Sequence, residues 1–156
     1  MQDINSETEF ENHIRKIISE QIITDNSDFH ILKNKKAVDM IICKEDNDFP
    51  SLYFIEIKYH KNNHGRLGIG QGKGKGFQPE ILSKRPSYFE NNLRWIIGSE
   101  NSENYFFLNN TELLTFIKDG IIEQKYNNIQ KRIFKTAVAH RKEELIEKIK
   151  LWLKIK

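Results

Sequence analysis

The chain has 156 residues, of which 38% are hydrophobic and 30% charged, with only 3 prolines. This describes one folded domain of ordinary size, too short for two cores and too apolar for disorder. No window approaches the ~20 consecutive apolar residues of a membrane span, so no membrane association is expected. The single Cys43 excludes an intrachain disulfide and a cysteine-based zinc site. Met1–Phe10 is acidic and polar, unlike a signal peptide, and the expected location is the cytoplasm.

Net charge is only +3, from 25 basic and 22 acidic side chains, but the charge is unevenly placed. Residues 1–30 carry two basic and seven acidic groups. Residues 58–86 carry seven basic groups against Glu80 alone, and residues 125–156 carry ten against three. Basic segments of this kind suit a polyanion such as nucleic acid; the plainer alternative is a solvated surface of uneven charge.

In chain order, Ser6-Glu7-Thr8-Glu9 has the form of a capping box, and Phe10, Ile14, Ile17, Ile18 and Ile22 follow at helical spacing. This predicts an amphipathic helix over 7–23. A turn at Asp25–Asp28 leads to a short strand at Phe29–Leu32, and Asn34-Lys35-Lys36 turns the chain again. Ala37–Cys43 and Leu52–Tyr59 are the strongest strands, joined by a polar loop over Glu45–Pro50. GRLGIGQGKGKG at 65–76 holds six of the eight glycines and predicts an irregular loop. Residues 77–92 read as a crossover interrupted at Pro86. Arg94–Gly98 and Tyr105–Leu108 are two more strands, and a helix starts at Asn110-Thr111, runs to Lys118 and stops at Gly120. Residues 121–135 are ambiguous. Residues 138–154 form a basic amphipathic helix with Leu145, Ile146, Ile149, Trp152 and Leu153 on one face. Together these predict an α/β fold, a mixed central sheet flanked by helices, as one domain over 1–156. Trp95 and Trp152 read as core or interface residues, and Cys43 as a small buried hydrophobe.

Pairing the two strong strands as a hairpin around Glu45–Pro50 sets Ile41 opposite Phe54, Cys43 opposite Leu52 and Asp39 opposite Glu56. Val38, Met40 and Ile42 then meet Ile57, Ile55 and Tyr53 on a wholly apolar reverse face. Side chains alternate with period two, so Glu56 and Lys58 share the Asp39 face. Opposed Cβ atoms lie about 5 Å apart, so two carboxylates and one ammonium converge. Two carboxylates so close repel, and a divalent cation removes the conflict. Mg²⁺ takes one or two carboxylates plus water and phosphate oxygens, and the main-chain carbonyl of Ile57 could add another ligand. Lys58 could orient or deprotonate water, or hold a phosphate. This suits phosphodiester hydrolysis. The competing reading is a surface cross-strand ion pair of little consequence.

Asp39 followed by Glu56-Ile57-Lys58 on the next strand resembles the PD-(D/E)xK nuclease superfamily, which includes type II restriction endonucleases, Holliday junction resolvases and repair nucleases. The likeness spans about residues 7–108. It departs at Val38, where many members carry Pro. The resemblance implies an Mg²⁺-dependent endonuclease, with Mn²⁺ as a substitute, in which Asp39 and Glu56 hold metal and Lys58 is the catalytic lysine. Within it, the restriction endonuclease-like branch implies sequence-specific cleavage of double-stranded DNA by a homodimer, built on the C-terminal helix (Trp152, Leu153) or on the first helix. The alternatives are a structure-specific resolvase or repair nuclease, a non-catalytic DNA-binding module, and a subunit of a larger complex.

Several families of the superfamily also supply a glutamate from the first helix. Glu11 falls on the apolar stripe, where it is anomalous, and is either that glutamate or a boundary residue reaching water; Glu20 lies off the stripe. Arg66, Lys73 and Lys75 in the glycine-rich loop, with Lys61 and Gln78 beside it, are candidate DNA contacts, against a plain flexible loop. The loop lacks both G-x-x-x-x-G-K-[ST] and G-x-G-x-x-G, so no nucleotide cofactor is expected. His60 and His64 form H-x-x-x-H outside any predicted helix and without a partner glutamate, which disfavours zinc.

Overall fold

The computed structural model describes residues 4–32, 38–61, 66–68, 86–100, 102–119, 122–123, 128–130 and 136–155. Helix α1 spans Glu7–Ile17 and passes directly into a π-helical turn over Ile18–Ile22. Strands β1 (Phe29–Leu32), β2 (Met40–Lys44) and β3 (Ser51–His60) follow, then β4 (Arg66–Gly68) and α2 (Pro86–Asn92). After β5 (Leu93–Ser99) and β6 (Ser102–Leu108) come α3 (Asn110–Lys118), β7 (Ile122–Glu123), β8 (Asn128–Gln130), β9 (Ala139–His140) and α4 (Lys142–Leu153).

The main sheet has six strands in the order β1-β2-β3-β5-β6-β9. All neighbours are antiparallel except β3 and β5, whose parallel pairing runs from Phe54–Leu93 to His60–Ser99. The architecture is the mixed α/β sheet with flanking helices that the element pattern predicts. The β2–β3 register is the expected one, with Ile41 opposite Phe54, Ile42 opposite Tyr53 and Cys43 opposite Leu52.

Two cores lie on opposite faces of this sheet. On one face, Phe10, Ile14, Ile17, Ile18 and Ile22 of the first helix pack with Tyr53, Ile55, Ile57 and Tyr59 of β3 and with Leu145, Ile149 and Leu153 of α4. On the other, Leu93, Trp95, Ile97, Phe106 and Leu108 pack against Phe89 of α2 and Leu113 of α3. Helix α1 sits close because β5 offers Gly98: a Cβ there would overlap the Phe10 ring. Ser6 caps α1 by accepting the Glu9 N–H at 3.1 Å. The Glu9 carboxylate accepts from Asn5 N at 2.6 Å, one residue before the cap, so the predicted capping box closes one residue early. At α3, Asn109 and Glu112 exchange side-chain and backbone hydrogen bonds at 2.8 Å each way, fixing the helix start.

Several expectations need correction; the C-terminal helix begins at Lys142 rather than 138, because Ala139–His140 pair with β6 as β9. Strand β2 begins at Met40, and Asp39 lies in a bend before it, because its carboxylate leaves the face of the sheet for a backbone partner described below. Pro86 opens α2 rather than interrupting a helix, since the first helical turn has no use for the missing N–H. Within the glycine-rich segment Arg66–Gly68 is a strand, and with β7 and β8 it makes a second, three-stranded sheet that neither periodicity nor composition shows. Cys43 is half-buried rather than buried. Of the two candidates for a dimer face, Trp152 is half-buried and packs within the chain. Leu153 is fully buried, and the Trp152 ring meets Tyr53 edge-on at 5.2 Å while its Nε1–H donates to the Asn91 carbonyl at 2.7 Å. The apolar stripe of the first helix is likewise core. Residues 69–80, with Lys73, Lys75 and Gln78, and the stop at Gly120 lie outside the described residues. Among the described residues no helix is long and apolar enough to cross a membrane.

Candidate active site at the uncovered half of β3

Strand β3 has ten residues and β2 only five, and their pairing ends at Met40–Ile55. Beyond Ile55, no strand among the described residues covers the β2 side of β3. In a strand, alternate residues aim both N–H and C=O at the same side. Ile57 and Tyr59 therefore aim theirs at the uncovered edge, and two buried N–H groups need acceptors there.

Both acceptors are carboxylates. The Ile57 N–H donates to Asp39 Oδ2 at 2.6 Å, and the Tyr59 N–H donates to Glu7 Oε2 at 3.3 Å. Asp39 and Glu7 thus continue the ladder that β2 leaves off. Glu7 comes from the first turn of α1, on the Ile57–Tyr59 face, and reaches round the edge. Its approach is set by the Ser6 cap and by the Tyr59 hydroxyl, which donates to the Ile4 carbonyl at 2.8 Å.

Lys58 lies between them in sequence and points to the opposite face. Its Nζ is 3.5 Å from Glu7 Oε1, 3.7 Å from Asp39 Oδ2 and 3.9 Å from Glu56 Oε2. Glu56 and Lys58 are 5% and 9% exposed, because on their face of the sheet they flank Trp95 and Ile97 of β5. The largest influence on the ammonium is burial, which lowers its pKa. Asp39, Glu7 and Glu56 together outweigh burial, so the pKa stands above the usual lysine value and the group is charged.

Glu11 is one turn along α1 from Glu7, on the same side of the helix. Burial raises its pKa most, and the neighbouring carboxylates of Asp39 and Glu7 raise it further; Lys58 and Arg15 counter this in part. Glu11 is half-buried, which leaves both readings of it open. Arg15, a turn further on, donates from Nη2 to the Asp39 carbonyl at 3.1 Å. Glu20 is exposed on the π-helical turn.

Asp39, Glu56 and Lys58 are therefore brought together as the motif predicts, though not as a facing cross-strand pair. Glu7 is the member of the cluster that sequence reasoning missed. Its signal was present, as an acid four residues before Glu11 on the helix side that carries the anomalous glutamate. The Ile57 carbonyl lies on the same edge of β3 as the Ile57 N–H that Asp39 accepts. Lys61 follows β3 and is half-buried; for Arg66 only the backbone, in β4, is described. His60 is buried at the end of β3 and His64 is outside the described residues, so the H-x-x-x-H spacing gains no support.

The donor set is all oxygen, which suits a hard divalent cation such as Mg²⁺ or Mn²⁺ rather than zinc. Among the described residues no three His, Cys, Asp or Glu side chains already stand in metal-holding geometry; the carboxylates are gathered on the Lys58 ammonium. No family model matches this chain, and no curated protein or solved structure matches it either.

Proposed function

We propose that the chain is a divalent-cation-dependent endonuclease of PD-(D/E)xK type that hydrolyses phosphodiester bonds of double-stranded DNA, in the cytoplasm. The observation that carries this reading is the convergence of Asp39, Glu7 and Glu56 on Lys58, at a strand edge left uncovered. A sheet built for stability alone would extend β2 along β3. Here two carboxylates finish the edge instead, beside the buried Lys58 and Glu56, and a buried charged pair is costly unless used.

Asp39, Glu56 and the Ile57 carbonyl are the residues to hold Mg²⁺, with Glu7 beside them. A cation held there would supply a water of lowered pKa and would offset charge on the phosphate. The rest of the chemistry falls to the protein's own groups. The Ile57 N–H fixes the Asp39 carboxylate, so its position does not depend on a flexible side chain. Lys58, held charged, donates hydrogen bonds to a non-bridging phosphate oxygen or to the attacking water. Glu11, its pKa raised by burial and by Asp39 and Glu7, is the helix acid suited to accept a proton. Within the superfamily we place the chain in the restriction endonuclease-like branch, acting as a homodimer on a specific sequence. The basic segment after β3, with Lys61, Arg66, Lys73, Lys75 and Gln78, is the DNA-contacting candidate.

The test is plasmid cleavage by purified protein in Mg²⁺, in EDTA, and with Lys58→Met. Discrete fragments that require both Mg²⁺ and Lys58 support the full reading. Nicks or a smear with the same requirements keep the nuclease and move it to the resolvase or repair branch. DNA binding without cleavage, equal in both proteins, leaves a non-catalytic binding module and overturns the enzyme.

A further inference from the structure

We propose that Arg15 is a positioning residue for Asp39, a role that rests on the nuclease reading above and deepens it. Asp39 lies in a bend ahead of the first paired residue of β2, so no strand pairing holds its backbone. Two hydrogen bonds fix it from two directions: the Ile57 N–H on the carboxylate at 2.6 Å, and the Arg15 guanidinium on the main-chain carbonyl at 3.1 Å.

The choice of acceptor matters. An arginine beside an aspartate ordinarily takes the carboxylate, often with two parallel bonds. Here it takes the carbonyl, and the carboxylate is left to the Ile57 N–H and the Lys58 ammonium. Arg15 therefore orients the residue without consuming the oxygens that a divalent cation needs. Partners of this kind, one bond removed from a metal ligand, typically change metal affinity or activity 10- to 100-fold when lost.

The geometry also couples Asp39 to the helix. Glu7, Glu11 and Arg15 recur every four residues and share one side of α1. Helix α1 is seated rigidly, with Ile14 fully buried, Ile17 2% exposed and Phe10 against Gly98. One helix thus sets Glu7 directly and Asp39 through Arg15, so the acids reaching Lys58 from α1 and from the bend are placed by the same rigid body.

The experiment compares wild type with Arg15→Met, which keeps helix propensity and aliphatic bulk, and with Arg15→Lys, which keeps one donor for the carbonyl. Three quantities are read: Mn²⁺ affinity of the DNA-free protein by calorimetry, DNA affinity in EDTA, and the Mg²⁺ concentration for half-maximal plasmid cleavage. The proposal expects Mn²⁺ binding about tenfold weaker in Arg15→Met, a matching rise in the Mg²⁺ requirement, DNA affinity within about twofold, and recovery of most of the loss in Arg15→Lys. Arg15→Gln is the substitute should the Met variant not fold. Unchanged Mn²⁺ affinity, with activity lost only in step with the folded fraction, overturns the role and leaves a structural bond. Lost DNA affinity with intact Mn²⁺ binding also overturns it and makes Arg15 a phosphate contact. A wild type that neither binds Mn²⁺ nor cleaves in Mg²⁺ overturns the nuclease reading itself, and this role with it.

Discussion

The two halves of β3 face different problems. From Ser51 to Ile55 the strand is zipped to β2, and its polar backbone is satisfied by another backbone. From Glu56 to His60 no strand among the described residues pairs with that edge, and carboxylates from a bend and a helix take the N–H groups of Ile57 and Tyr59. The first half needs only apolar side chains in the right alternation. The second needs charges, and each charge must be balanced by another. Apolar packing is concentrated in one half and the ionisable cluster in the other, with a single strand holding both in register.

The largest effect should come from removing the central cation. Lys58→Met is expected to lower cleavage about a thousandfold, within the range of a lost acid–base or electrostatic partner. It also leaves three carboxylates facing one another without their counter-ion. The variant without metal should unfold at lower temperature than wild type, and Mg²⁺ should raise its Tm more than it raises that of wild type. Equal Tm shifts in the two proteins would show that the cluster takes no cation.

The zipped half should respond in the opposite way. Ile42→Ala removes a fully buried side chain and should cost about 2–5 kcal/mol in denaturant unfolding. The folded fraction should keep its Mg²⁺ requirement, because no site group touches Ile42. A shift in that requirement would show that the two halves are not separable.

Gly98→Ala tests the link between them. The added methyl overlaps the Phe10 ring and should cost about 1–3 kcal/mol. It should also push α1 off the sheet, taking Glu7 from Lys58 and Arg15 from Asp39. Cleavage measured on fully folded protein should then fall more than tenfold, about the cost of losing one partner of a metal ligand.

The smallest effect is the one with the clearest sign. The Glu11 pKa is raised by burial and by Asp39 and Glu7, so its charged form costs stability once it ionises in the folded state. Glu11→Gln should therefore raise Tm slightly at pH 7, and the gain should vanish as pH falls below the ordinary value of 4.5, where both states are protonated. Cleavage should fall in the same variant. A gain in stability that persists at low pH would assign it to packing instead.

A good part of the molecule is legible in the chain. Alternation along Leu52–Tyr59 and the apolar run ending at Cys43 determine two strands and their register, because a one-residue slip would turn Met40 and Ile42 out of the core. The spacing of Phe10, Ile14 and Ile17 determines the first helix, and Glu56-x-Lys58 determines that a carboxylate and an ammonium share a face. Tertiary structure decided the rest. Where β2 begins depends on a bend that local propensity does not mark. Glu7 joins the cluster because Gly98 lets Phe10 approach, a contact between residues 88 positions apart. Sheet β4-β8-β7 pairs segments that carry no period of their own. Trp152 faces inward because Tyr53 and Asn91 are there to meet it. Period and composition are properties of neighbours in the chain, whereas the site is made by groups that neighbour one another only after the helix has closed over the uncovered edge of β3.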